Sequence, residues 1–296
     1  MEVDLNTSDP HHLRPLWEAI LEVYREYASV CDRYHLRYYV CAGSLLGAVR
    51  HGGFIPWDDD FDVVMPRPDY EKFKEIAARE LPSHLKWVDR HNTPEFALMF
   101  GKIQDCRRAN VESVERSLGY MQAAGIFIDI YPIDGYPDSR LMEKWLKLKE
   151  KLAYLAYYFS TRSKGNGRRT LTLKWRISYV IGALAAPFFP SLDTDSKFRD
   201  WTEQYLRGLP YDDRHRTGTG GCLVGKFQRI LEPGWLGAAK EMKFENITIK
   251  VPSQTDALLR SFYGDYMKLP PPELRTSTHL ADTRLAWWLG PTQSSS

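Results

Sequence analysis

The chain has 296 residues, of which 43% are hydrophobic and 26% charged, the composition of an ordinary globular protein. Its 40 basic and 38 acidic residues leave a formal net charge of +2, which excludes a general polyanion-binding surface and argues against nucleic acid as a partner. The length permits a core domain with a substantial appendage.

The first half of the chain predicts mixed helices and strands. Apolar residues recur every three or four positions from Leu13 to Tyr34, which indicates an amphipathic helix of about six turns. Another helix is expected over 70–80, with Asp69 as its N-cap. Short apolar segments predict strands at 37–41, 61–65, 85–89, 96–103 and 125–134.

The second half is predicted to be mainly helical from about 139 to 207. A glycine-rich loop follows at 217–225, a half-buried strand at 245–252, and a helix at 255–267 that ends near Gly264. The expected class is α+β (α/β mixed), a small mixed sheet flanked by helices. We divide the chain into a core (1–138), a mainly helical insertion (139–240) and a C-terminal strand–helix segment that packs back on the core (241–296).

Two features bear on the location of the protein. The N-terminus is polar and acidic, which predicts a cytoplasmic protein. The most apolar run, 177–190, is short for a membrane span and contains two prolines. Because basic residues precede it, it predicts either a buried core helix or peripheral contact with a membrane surface.

Four aspartates lie close together in "PWDDDFDVVMP", at positions 58, 59, 60 and 62. Because alternate residues of a strand point the same way, Asp60 and Asp62 are expected to share a face, with Asp59 pointing away. Two carboxylates side by side repel each other unless a cation neutralises them. Oxygen ligands of this kind favour Mg²⁺ or Mn²⁺, although a solvated turn is the alternative interpretation.

A third acid supports the metal interpretation. Asp129 stands alone in the apolar strand "GIFIDIYP", a setting that requires a charge partner. A metal shared with Asp60 and Asp62 would provide one.

Small and basic residues precede the aspartates. Gly43 and Ser44 lie where a strand is expected to give way to a short helix, Leu45 to Arg50, and a helix start favours an anion. Arg50 is a candidate phosphate contact. Lys102 is either a second one or a solvated lysine at a strand edge.

Together these segments resemble the nucleotidyltransferase superfamily and, more narrowly, the LicD/fukutin family. The resemblance rests on "GSLLGAVRHGGFIPWDDDFDVVMPRPDYEKF", "IDIYPIDG" and "KFENITIKVPSQTDALLRSFYGDYMKLPPPELRTSTH". It implies a nucleotidyltransferase-like catalytic core in which Asp60, Asp62 and Asp129 hold the metal, with the helical insertion on the acceptor side.

Members of this family transfer a phospho-alcohol group, often phosphocholine or ribitol phosphate, from a CDP-activated donor to a glycan hydroxyl. The resemblance therefore implies a CDP-choline-like donor, a glycan or glycolipid acceptor, Mg²⁺ or Mn²⁺, and release of CMP. Asp129 is either a metal ligand or the base that accepts the hydroxyl proton.

The C-terminal block adds Arg275 as a phosphate contact and His279 as a proton carrier, and both could equally be surface residues. The rings of Trp57, Tyr131 and Tyr136 are candidates for cation–π contact with a choline group. Two alternatives stay open: a nucleotidyltransferase that releases pyrophosphate from a nucleoside triphosphate, and a non-catalytic scaffold that binds a metal or nucleotide.

Overall fold

The computed structural model describes residues 13–93, 96, 98–110, 124–137, 139–148, 192–212, 214–218 and 230–276. These residues form helices and a mixed sheet, which confirms the predicted α+β class. The predicted boundaries at 139 and 241 stay predictions.

Among the residues that the structure describes, the central sheet has seven strands. They are β1 (Tyr39–Val40), β2 (Asp62–Pro66), β3 (Leu85–Val88), β4 (Gly101–Asn110), β5 (Ala124–Gly135), β6 (Thr217–Gly218) and β7 (Ile230–Leu231). Five of them lie in the order β1-β2-β5-β4-β3, and the short strands β6 and β7 extend from the end of β5. The pair β2–β5 is parallel, whereas the other pairs are antiparallel.

A separate hairpin, β8 (Lys240–Phe244) and β9 (Ile247–Val251), packs against the core. Sequence reasoning predicted β9 and missed β8, whose side chains are mostly exposed and whose apolar residues are only Met242 and Phe244. The turn between them rests on the loop after α2 (Ala42–His51), because the backbone N–H of Glu245 donates to the carbonyl of Gly52 at 2.9 Å. The β8–β9 hairpin therefore lies against the core.

Helix α1 (Arg14–Arg33) supplies much of the core. Its periodic apolar face buries Tyr24 and Tyr27 against Phe61 and Phe73, with ring centres 4.9 and 5.1 Å apart. This packing supports the segment that enters β2. Helix α3 (Arg67–Glu80) follows β2 directly.

Three further helical stretches are described. They are α4 (residues 140–148), α5 (Leu192–Arg207) and α6 (Thr255–Tyr263), which ends at Gly264 as predicted. The apolar run 177–190 and most of the predicted glycine-rich loop lie outside the described residues.

Two predicted elements were placed wrongly. The strand expected over 96–103 begins at Gly101, because Phe96 and Phe100 are buried core residues that precede the paired segment. Asp69 is not the N-cap of α3, since the cap position is Pro66 and a proline follows in the first turn, where its fixed φ suits helix entry. Asp69 lies in that first turn instead, 2.8 Å from Arg37.

Candidate active site

The parallel strands β2 and β5 place two of the predicted aspartates side by side. Asp62 and Asp129 are register partners, and both residues are buried, at 3% and 4% exposure. Asp60 is also buried but precedes β2, which begins at Asp62, so the strand period does not apply to it. Asp59, which was expected to point away, is buried as well, at 3% exposure.

Asp129 has two specific partners. The Nζ of Lys102, its register partner on β4, lies 3.3 Å from Oδ1, and the hydroxyl of Tyr131 donates to Oδ2 at 3.2 Å. Lys102 is 1% exposed and also lies 3.5 Å from the centre of the Phe127 ring, so the solvated alternative for this lysine is wrong. A buried cation beside a buried acid reduces the repulsion between neighbouring carboxylates.

Gly43 and Ser44 position the aspartate segment from the other side. They lie in the first turn of α2, which begins at Ala42 and thus earlier than predicted. The Ser44 hydroxyl is buried and accepts the backbone N–H of Asp62 at 2.9 Å. A Cβ at Gly43 would come within 2.8 Å of an Asp58 carboxylate oxygen, so any other residue here would force the Asp58 side chain to shift.

Two arginines lie at the rim of this site. Burial lowers the pKa of Arg50; Tyr263 opposes that shift, and the neighbouring positive charge of Arg275 adds to it. Arg50 donates to the carbonyl of Tyr266 at 2.9 Å, and Arg275 lies over the Trp57 ring at 5.7 Å. Among the described residues, no carboxylate forms an ion pair with either guanidinium, so this pair suits a phosphate.

Sequence reasoning missed Tyr263, the last residue of α6. It is 42% exposed, yet the partial loss of hydration around its hydroxyl raises its pKa. The negative charges of Asp62 and Asp58 raise this pKa further. The tyrosine therefore lies near enough to the aspartates for their charges to act on it. Its signal in the sequence is weak, because an aromatic residue in an amphipathic helix usually predicts packing.

The remaining candidates from the sequence are three aromatic residues and one histidine. Trp57 already carries a cation over its ring, and Tyr136 lies beyond the far end of β5, about 20 Å from Asp129 at a rise of ~3.3 Å per residue. Tyr131 is the aromatic candidate nearest the acids, and its ring packs 4.3 Å from that of Phe100. His279 lies outside the described residues.

The buried acids of this site include one close pair that could hold a divalent metal. Within the described ranges, no group of three or more His, Cys, Asp or Glu side chains converges closely enough to form a complete metal cage. Mg²⁺ is commonly bound by one or two carboxylates together with substrate phosphates. Asp62 and Asp129, buried side by side, provide such a pair. Asp60 lies two positions before Asp62, the first residue of β2.

None of the helices in the described part of the chain has both the length and the apolar character that a membrane span requires.

Comparison with known proteins identifies relatives of this chain. Residues 35–161 match the family model described as LicD/FKTN/FKRP, nucleotidyltransferase domain. The lipopolysaccharide cholinephosphotransferase LicD of Haemophilus influenzae is 26% identical over 269 residues, which cover 88% of this chain and 94% of that protein.

Two other relatives match more partially. The ribitol 5-phosphate transferase FKRP of Homo sapiens is 26% identical over 186 residues, which cover 58% of this chain but only 33% of that protein. The uncharacterized protein RP689 of Rickettsia prowazekii is 31% identical over 184 residues, covering 61% of this chain and 65% of that protein. The matched region of the family model contains Asp60, Asp62 and Asp129.

Proposed function

The chain belongs to the LicD/fukutin family, and on that premise we propose that it transfers a phosphocholine-like group from a CDP-activated donor to a glycan or glycolipid hydroxyl. Its relatives are named as a cholinephosphotransferase and a ribitol 5-phosphate transferase, and it is likewise a transferase of phospho-alcohol groups. The observation that carries the proposal is the register pairing of the buried Asp62 and Asp129 beside Lys102.

In the proposed reaction, the acceptor hydroxyl attacks the phosphorus that bears the alcohol. The bond from that phosphorus to the oxygen bridging it to CMP breaks, and CMP leaves with the bridging oxygen. Such a transfer depends mainly on positioning and on neutralising phosphate charge. When bound, Mg²⁺ would supply part of that neutralisation, and the register pair Asp62 and Asp129 would hold it, with Asp60 as the further candidate from the sequence.

Basic side chains of the chain would neutralise the remaining charge of the donor phosphates and of the acids. Arg50 and Arg275 form a pair at the rim that suits the donor pyrophosphate, while Lys102 balances the charge of Asp129. Because Lys102 and Tyr131 both stabilise the carboxylate form of Asp129, this residue suits a metal ligand better than a general base. The base is therefore left to another group, and His279 stays the candidate from sequence.

A product assay tests the proposed reaction directly. The purified chain is incubated with Mg²⁺ and CDP-choline, CDP-ribitol or CTP, and the products are separated by chromatography. We expect CMP to be released from a CDP-alcohol when a glycan acceptor is present. Release of pyrophosphate from CTP, with no CMP from either CDP-alcohol, would instead identify a nucleotidyltransferase.

Substitution of the paired acids tests the site. Asp62→Asn and Asp129→Asn should each lower kcat by at least about a hundredfold. The control is Glu26→Gln, which removes the same charge from an exposed position on α1 and should leave kcat unchanged. If Asp62→Asn retained the activity of the control, the assignment of the site would be wrong. Absence of turnover with every donor, together with tight metal or nucleotide binding, would favour the scaffold alternative.

A further inference from the structure

Helix α4 exposes an unusually apolar face away from the candidate active site. Leu141 and Trp145 are 66% and 54% exposed, and Met142 and Leu148 are 44% and 47% exposed. At about 100° per residue, Leu141, Trp145 and Leu148 lie within roughly 60° of one another around the helix. We call these four residues the α4 face.

The opposite side of α4 holds the helix to the protein. Leu146 is buried in a small cluster with Leu206 of α5 and Tyr136. Glu143 accepts a hydrogen bond from Arg216 at 3.0 Å and one from Lys147 at 2.6 Å. The helix is therefore anchored through one side, and that anchoring fixes the α4 face towards solvent.

The charges on α4 have one sign at its exposed surface. Arg140, Lys144 and Lys147 are all exposed, whereas Glu143, the acid of this helix, is only partly exposed and is paired with both Arg216 and Lys147. On a helical projection the three basic residues fall along one flank of the α4 face. Apolar side chains that include a tryptophan, flanked by basic residues, are typical of helices that lie in the surface of a membrane.

We propose that the α4 face docks onto the surface of an anionic lipid bilayer. The apolar side chains would enter the boundary between headgroups and acyl chains, and the basic flank would contact lipid phosphates. An anionic bilayer matches both the apolar residues of the α4 face and the positive charge of its basic flank. The sequence farther along the chain has a similar composition, since Lys164, Arg168, Arg169, Lys174 and Arg176 precede the apolar run 177–190.

Flotation with lipid vesicles tests the proposal on the full chain. The vesicles consist either of phosphatidylcholine alone or of phosphatidylcholine mixed with phosphatidylglycerol. We expect the protein to float with the mixed vesicles and to bind phosphatidylcholine alone at least about tenfold more weakly. The double variant Leu141→Glu/Trp145→Glu should bind the mixed vesicles at least about tenfold more weakly than the unmodified chain.

Leu274→Glu is the matched control, because Leu274 is 64% exposed and lies on a different surface. It should bind vesicles as the unmodified chain does. The double variant should unfold in urea at the same midpoint as the unmodified chain, since its altered residues are exposed.

Three results would overturn the proposal. The first is failure of the unmodified chain to bind anionic vesicles. The second is equal vesicle binding by the double variant and by Leu274→Glu. The third is a concentration-dependent dimer, seen by sedimentation velocity, that the double variant loses while vesicle binding stays unchanged; this would identify the α4 face as a contact between two copies.

Discussion

Replacement of Lys102 by methionine removes the buried cation beside Asp129 while keeping most of its side-chain volume. At the observed 3.3 Å, the attraction between the two charges is about 5 kcal/mol for an effective dielectric constant of about 20. Loss of one partner of a buried ion pair lowers stability by about 3–5 kcal/mol, because the remaining charge stays desolvated. We therefore expect Lys102→Met to lower the free energy of unfolding by about 3 kcal/mol in the absence of divalent cations.

The same variant should respond more strongly to magnesium. Without the lysine, no buried positive charge at position 102 offsets the paired carboxylates of Asp62 and Asp129, so a divalent cation should bind them more tightly. Ligand binding to the folded state raises stability by mass action. Added Mg²⁺ should therefore recover part of the loss in Lys102→Met and stabilise this variant more than it stabilises the unmodified chain.

Urea unfolding followed by tryptophan fluorescence, in EDTA and in Mg²⁺, measures both effects. Lys86→Met is the control, because Lys86 is an exposed lysine on the adjacent strand β3. It should unfold as the unmodified chain does in both buffers. Equal stability of the two lysine variants in EDTA, or an equal response of both to Mg²⁺, would refute the assigned role of Lys102.

Three further substitutions probe the frame of the site. Ser44→Ala removes the acceptor of the Asp62 N–H and should lower stability by about 1–3 kcal/mol, as urea unfolding would measure; an unchanged midpoint would contradict the role of this hydroxyl. Arg67 donates two hydrogen bonds to Asp134, of 2.6 and 2.9 Å, so Arg67→Met should lower the free energy of unfolding by about 3–5 kcal/mol. Because the loss comes from the desolvated charge left on Asp134, the double variant Arg67→Met/Asp134→Leu should recover much of this stability, and a double variant no more stable than Arg67→Met would contradict that cause. Burial and, to a smaller extent, the charge of Arg50 lower the pKa of His51 to about 4, so below pH 6.5 the unfolded chain binds more protons than the folded chain. The free energy of unfolding should therefore fall as the pH drops from 6.5 to about 4, by about 1 kcal/mol for this partly exposed ring. His51→Gln should flatten this pH dependence in urea unfolding, and an unchanged slope would contradict the assignment.

Local pattern was enough to predict the elements with a clear period. Helix α1 has a continuous apolar face, β5 is mainly apolar apart from Asp129 and Asp134, and α6 ends at a glycine. The start of α2 and the strand after Phe96 were misplaced because apolar residues pack into the core both inside and outside paired strands.

The sequence pattern selected the acids of the candidate site, but it did not predict their geometry. The sequence pattern singled out Asp62 and Asp129, yet their register follows from strand pairing across most of the core. The burial of Lys102 depends on its position opposite Asp129, which no local spacing reveals. The meeting of Arg50 with Arg275 requires the C-terminal segment to fold back onto α2.

The parallel pairing of β2 with β5 has a consequence for how such chains can diversify. The chain between these strands forms α3, β3 and β4 before it returns, and its length does not determine how Asp62 meets Asp129. Insertions in that connection can therefore accumulate without separating the two acids. A shift of β5 by a single residue, in contrast, would turn Asp129 to the opposite face of the sheet. The pairing of the two acids thus tolerates a longer connection between the strands but does not tolerate a shift of their register.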